Sequence, residues 1–158
     1  MGQSAAPLAR GDPAPLRILL IEPYLTGSHK AWAEGLRRHS RHHIDLLSLP
    51  GRHWKWRMHG GAVTLAQAFL DRAQRPDLIV ATDMLDLATF LALTRPHTGD
   101  IPVAVYFHEN QFAYPWSPED PDPGSGRDLH YGFLNFTSAL AADRVLFNSA
   151  FNRDSFLT

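Results

Sequence analysis

Short apolar runs alternate along this chain with segments whose apolar residues recur every three or four positions, the pattern of strands and helices taking turns. Leu16 to Ile21 (LRILLI) is almost wholly apolar and is followed by Glu22 and Pro23, which predicts a first strand buried on both faces of a parallel sheet. After the loop Tyr24-Leu25-Thr26-Gly27-Ser28, Ser28 is expected to cap a helix that carries Trp32 and Leu36 one turn apart. Ile44 to Leu49 reads as a second strand stopped by Pro50-Gly51, with a polar and aromatic loop running on to about Gly61. From Ala62, the spacing of Leu65, Ala66, Phe69 and Ala73 predicts a helix closed by Pro76, and Leu78 to Ala81 a third strand.

The alternation continues. A helix is expected through Leu85 to Leu93, ending near Pro96, and Val103 to Phe107 (VAVYF) reads as a fourth strand. Pro115 to Gly126 holds four prolines and two glycines and is expected to be a surface loop. Leu129, Phe133, Phe136 and Leu140 mark another helix, Val145 to Phe147 a fifth strand, and Asn148-Ser149 the cap of a last helix. Short parallel connections cross over through helices. The fold class is therefore α/β, a Rossmann-like, doubly wound, mostly parallel sheet of about five or more strands with helices on both faces.

A length of 158 residues accommodates one such domain. Residues 1–15, rich in Ala, Pro and Gly, read as a disordered tail, and 16–158 as the domain. The last helix has barely begun at Thr158, so a second domain is expected to be missing. A formal charge of −1 argues against coating nucleic acid by bulk electrostatics. The absence of cysteine excludes disulfides and thiolate chemistry. No apolar stretch has the length of a membrane span or the form of a signal peptide, so a cytoplasmic location is the default.

Several polar clusters follow the predicted strands: Glu22 to Lys30, Arg52 to Arg57, Thr82-Asp83, His108 to Gln111 and Asn148 to Asn152. All fall on the edge where open α/β sheets bind ligands. Gly27-Ser28 would let a phosphate or sugar approach a helix N-terminus, although the dinucleotide-binding fingerprint is absent. His108, directly after an apolar strand and beside Glu109, Asn110 and Gln111, suits a sugar hydroxyl or a proton in transfer. Trp54-Lys55-Trp56-Arg57, if extended, would set two indoles against two cations on opposite faces. Lys30, Arg37, Arg38, Arg41, Arg52, Lys55 and Arg57 face only Glu34 and Asp45 in that stretch, a basic patch with aromatics suited to a single-stranded RNA loop. The same residues also fit core tryptophans and solvated cations. The histidines at 39, 42, 43, 53 and 59 follow no zinc spacing, and no metal is expected.

The segments IEPYLTGSHKAW, LPGRHWKWRMHG, VYFHENQFAYP and DRVLFNSAFNRDSFL resemble the N-terminal domain of the queuosine-tRNA mannosyltransferases, from about Arg17 to Leu157. The resemblance implies a GT-B fold like that of glycosyltransferase family 4, with retention of configuration and no metal or cofactor. Mannose would pass from GDP-mannose to queuosine in a tRNA anticodon loop, and the partners would be tRNA and the nucleotide-sugar. The acceptor-side half is present, the C-terminal nucleotide-sugar domain is absent, and the isolated domain is expected to be inactive. His108 and Glu109 would be catalytic. Gly27, Ser28, His29, Lys30, Asn110, Gln111, Asn148, Ser149 and Asn152 would bind donor or acceptor, and Trp54, Lys55, Trp56 and Arg57 would touch tRNA. Two alternatives stay open: another acceptor for the same fold, and a non-catalytic module that binds tRNA or a nucleotide.

Overall fold

A computed structural model describes residues 13–126 and 128–158; the tail expected at 1–15 lies, through residue 12, outside them. The strands are β1 (Arg17–Leu25), β2 (His43–Pro50), β3 (Leu78–Thr82), β4 (Val103–Phe107) and β5 (Arg144–Phe147). The helices are α1 (Gly27–His39), α2 (Trp54–Leu70), α3 (Leu87–Thr98), α4 (Asp128–Ala141) and α5 (Ala150–Leu157), with a short 3-10 turn at Pro123–Ser125. All five strands are parallel, in the order β2-β1-β3-β4-β5. The chain steps outward from β1 to β2, returns past β1, and continues to β5. Strand order therefore reverses between β1 and β3, where a crevice opens at the carboxyl ends.

Both faces of β1 are covered, which is why its run is continuously apolar. Ile18 and Leu20 pack with Ala33, Trp32 and Leu36 of α1. Leu19 and Ile21 pack on the other face with Leu65, Ala66 and Phe69 of α2 and Phe90 of α3. Each such buried side chain contributes about 1.5–3 kcal/mol relative to exposure. No helix among the described residues is long and apolar enough to cross a membrane.

Several local expectations are corrected. Glu22 and Pro23 do not end β1; it continues to Leu25 with a register shift between Glu22 and Leu25, an irregularity at which a residue without an N–H is tolerated. Thr26, not Ser28, is the N-cap of α1, and its side chain makes no capping bond. The run Trp54 to Arg57 is the first turn of α2 rather than an extended segment, so its indoles and cations point around a helix instead of alternating between two faces. The pair Gly60-Gly61 does not break that helix, and a Cβ at Gly61 would make ordinary contact with Pro23 Cβ, at 3.4 Å. At its other end α2 stops at Leu70, short of Pro76, and α3 runs through Pro96 to Thr98.

The helix α4 forms as expected, but the apolar stripe that marks it faces solvent: Leu129, Phe133, Phe136 and Leu140 are 70%, 57%, 45% and 71% exposed. The buried face carries Tyr131, Leu134, Asn135 and Ser138. Hydrogen bonds choose that face. Asn135 donates to the carbonyl of Asp83 (2.9 Å) and accepts from the Gln111 amide (2.8 Å). Ser138 donates to Leu85 O and accepts from Leu87 N, both at 3.1 Å. These side chains satisfy backbone groups of the loops after β3 and β4, which would otherwise be buried unpaired at a cost of about 1–3 kcal/mol each.

Candidate functional site

The reversal of strand order places a cavity of about 220 Å³ at the sheet's carboxyl edge. Tyr24, Thr26, Gly27, Ser28 and His29 wall it from the β1–α1 turn, Trp54 from α2, Met84 from beyond β3, and Glu109, Gln111 and Tyr114 from beyond β4. Glu109 and Tyr114 also wall an adjoining hollow of about 190 Å³, completed by His108, Asn110, Asn148, Ser149 and Asn152 among others. Gly27 has φ +50, a left-handed value that favours glycine. Gly51, where β2 ends, has the β1–α1 turn against it: a Cβ there would stand 2.3 Å from Thr26 Cβ.

His108 is held from four sides. Its amide donates to Asp83 Oδ1 (2.9 Å), and its carbonyl accepts from Asn148 Nδ2 (2.6 Å). Its ring lies against His29 at a tilt of 38°, with centroids 4.2 Å apart, while Trp32 at 4.8 Å and Tyr106 at 4.9 Å meet it edge-on. Burial pushes its pKa down to about 4, helped by the charge of His29 and partly opposed by Glu22. The imidazole is thus neutral at pH 7.

Beneath it lies Glu22, a carboxylate with no exposed surface. One oxygen accepts from the Tyr24 amide (2.8 Å) and the other sits 3.0 Å from His29 Nδ1. Burial lowers the pKa of His29, but the hydrogen bond and charge of Glu22 outweigh it, with Asp83 and Glu109 adding, and the net direction is upward. Burial raises Asp83 to about 8, against the opposing pull of His29 and the His108 amide. Glu109 is also raised by burial, partly offset by His29 and Gln111. Three buried side-chain atoms among the described residues have no partner: Thr82 Oγ1, Asp83 Oδ2 and His108 Nε2. All three stand at or just beyond the carboxyl ends of β3 and β4.

Glu22, His29 and His108 present ligand-type atoms within 4.8 Å of one another. Bonds of 2.0–2.1 Å in a tetrahedral zinc site would set its ligand atoms about 3.3 Å apart, and Glu22 and His29 already satisfy each other. The geometry reads as an ion pair with a second imidazole tilted against it.

The structure gathers most of the sequence-selected residues. Gly27, Ser28, His29, Glu109 and Gln111 line the first cavity, and His108, Asn110, Asn148, Ser149 and Asn152 the second. Asn110 and Asn152 bond each other (2.8 Å), and Ser149 caps α5 by accepting from the Asn152 amide (3.1 Å), as the sequence suggests. Lys30 stands apart, exposed and 3.8 Å from Glu34. Trp54 packs on Trp116 and Tyr131. Lys55 pairs with Asp120 (2.6 Å) and Asp122 (2.5 Å), so its charge is largely answered within the chain. Trp56 is 69% exposed, and Arg57 donates to Pro50 O. Sequence patterning sets Glu22 in a polar cluster at the ligand-binding edge without singling it out, and assigns no role to Asn135 or Ser138. Two polar residues set a turn apart within the mostly apolar α4 segment are the available signal for the last two.

A parallel sheet wound in both directions, with a glycine turn and a polar cleft at its switch point, defines a Rossmann-like ligand-binding domain. The chain belongs to the tRNA-queuosine alpha-mannosyltransferase N-terminal family, whose family model matches residues 17–158. A Drosophila melanogaster protein named tRNA-queuosine alpha-mannosyltransferase is 41% identical over 144 residues. The match covers 89% of this chain and 36% of that protein, so the chain spans little more than a third of its relative's length. The likeness seen in the GSHK, WKWR and FHENQ strings is borne out.

Proposed function

We propose that this chain is the acceptor-side half of an enzyme that transfers mannose from GDP-mannose to queuosine in a tRNA anticodon loop, with retention of configuration and without a metal. The observation that carries the reading is the convergence of His108, Glu109, Asn110 and Gln111 with the β1–α1 turn on two adjoining cavities at the carboxyl edge of the sheet. Polar side chains that converge on a cavity from several elements are suited to a polyhydroxylated ligand. A neutral His108 can exchange hydrogen bonds with a sugar hydroxyl, and Glu109 beside it can orient another.

The first amides of α1, at Gly27, Ser28 and His29, have no intrahelical acceptor, and Thr26 supplies no side-chain cap. They line the cavity as a site for phosphate oxygens, and the Glu22 carboxylate, which raises the pKa of His29, favours positive charge on that ring. Asn148, Ser149 and Asn152 form the far rim, and the second wall of the cleft is the nucleotide-binding half. Trp56 and Arg57, on the outer face of α2, remain the best placed of the WKWR residues for tRNA.

The test is transfer of labelled mannose from GDP-mannose by the complete enzyme to queuosine-containing tRNA, with unmodified tRNA as control. His108→Ala should lower transfer ~100-fold or more while leaving the melting temperature near its parent's. Equal labelling of the two tRNAs, or full turnover in the variant, overturns the reading; binding of tRNA without any transfer points to a non-catalytic module.

A further inference from the structure

We propose that Glu22 and His29 are positioning residues for His108: a buried carboxylate–imidazole pair whose ring is the floor on which the His108 imidazole lies, and which decides which of the two rings carries a proton. The proposal rests on the reading of His108 as the sugar-facing group. Glu22 stands at the register shift of β1 and spends both oxygens on the β1–α1 turn, one on the Tyr24 amide and one on His29 Nδ1. A single side chain thereby fixes the turn, the tilt of the His29 ring and the nitrogen that bears its proton.

His29 in turn has one face against His108, at 4.2 Å between centroids. Tyr24 meets His29 edge-on at 6.2 Å. With Trp32 and Tyr106 against other sides of His108, no rotation of that ring is possible without displacing one of the three. Yet the Nε2 atom of His108 has no hydrogen bond, so packing alone aims it. The floor therefore matters more here than at a histidine tied by two hydrogen bonds.

Two imidazoles with centroids 4.2 Å apart are disfavoured as a pair of cations, because like charges repel strongly where burial limits screening. The groups facing the pair are Glu22 on β1, Asp83 beyond β3, Glu109 beyond β4, and the phenols of Tyr24 and Tyr106. Of the three carboxyl groups, Glu22 is the one that hydrogen-bonds a ring, and that ring is His29. The proton goes to His29, in agreement with the upward displacement there and the downward one at His108. His108 is left neutral, able to accept a hydroxyl proton, while the cation sits nearer the helix N-terminus where an anion would bind. Without Glu22 the choice between the rings would be open.

Selective ¹⁵N labelling of the histidines in this chain tests the idea without any turnover. At pH 6.5, His29 should show the chemical shifts of an imidazolium and His108 those of a neutral ring. His29→Phe preserves a flat floor but removes the charge, and the proton affinity of His108 should rise at least tenfold. Glu22→Gln preserves the acceptor for Tyr24 and should lower the proton affinity of His29, since the hydrogen bond and charge of Glu22 are what raise it. Should Glu22→Gln fail to fold, as judged by its amide spectrum, His29→Phe decides alone. A neutral His29 in the parent, or a His108 titration that His29→Phe leaves unmoved, overturns the proposal. Because ring titration is read on the chain itself, that failure is separable from an absence of mannose transfer in the complete enzyme.

Discussion

A carboxyl group with no accessible surface at the end of β3 is the residue whose consequences are most open to measurement. Asp83 is raised from 3.8 to about 8 by burial, so the folded chain holds a proton there that the unfolded chain has lost at neutral pH. The sign follows from linkage: a raised folded-state value gives stability present in full below the unfolded pKa and lost as pH climbs toward the folded one. Asp83→Asn keeps an acceptor for the His108 amide but cannot titrate. The stability of the parent minus that of Asp83→Asn should fall by about 1.4 kcal/mol per pH unit from pH 4 toward pH 8. Urea midpoints of both proteins across that range provide the check, and a difference that does not change with pH would contradict it. Residues such as His108 and Glu109 are legible in the sequence because packing seldom requires a polar cluster directly after an apolar strand. Glu22 is not: next to Pro23 it looks like a strand terminator, and only the register shift reveals it as the buried hinge of the turn.

Among the elements, α4 separates what periodicity can tell from what it cannot. Spacing locates the helix, but four large apolar side chains outweigh Asn135 and Ser138 in choosing its inner face, whereas in the folded chain unpaired backbone groups decide. Phe133→Gln should therefore change stability by no more than about 0.5 kcal/mol, since Phe133 is 57% exposed. Ser138→Ala should cost about 1–3 kcal/mol, because it leaves the Leu87 amide buried without an acceptor. Chemical denaturation of the two variants distinguishes this from the arrangement that hydrophobic spacing implies, which reverses the order. The start of α2 carries a similar lesson. Glycines at 60 and 61 conceal a helix that begins at Trp54, and with it the pairing of Lys55 to Asp120 and Asp122 across 65 and 67 residues. That clasp tethers the loop between β4 and α4. Lys55→Ala should speed cleavage at Glu119 by a glutamate-specific protease several-fold, more so at low salt where the parent's ion pairs are strongest. Equal cleavage rates would assign the loop's order to Trp116 instead.

For the molecule as a whole, alternation of element types is enough to obtain a five-stranded parallel sheet, because parallel neighbours joined by short crossovers leave few other arrangements. The order β2-β1-β3-β4-β5 is not written in any one segment; it follows from which faces are apolar on every strand at once. Polar clusters far apart in the chain do meet at one rim: Gly27, His108 and Asn148 stand around two adjoining cavities. The contact between Gly51 and Thr26 shows how little freedom that rim has. A single methyl group added at the end of β2 would collide with the turn that begins α1. The loop that receives a ligand and the loop that leads into α2 therefore cannot vary independently, and any lineage that enlarges residue 51 must reshape the mouth of the cleft in the same step.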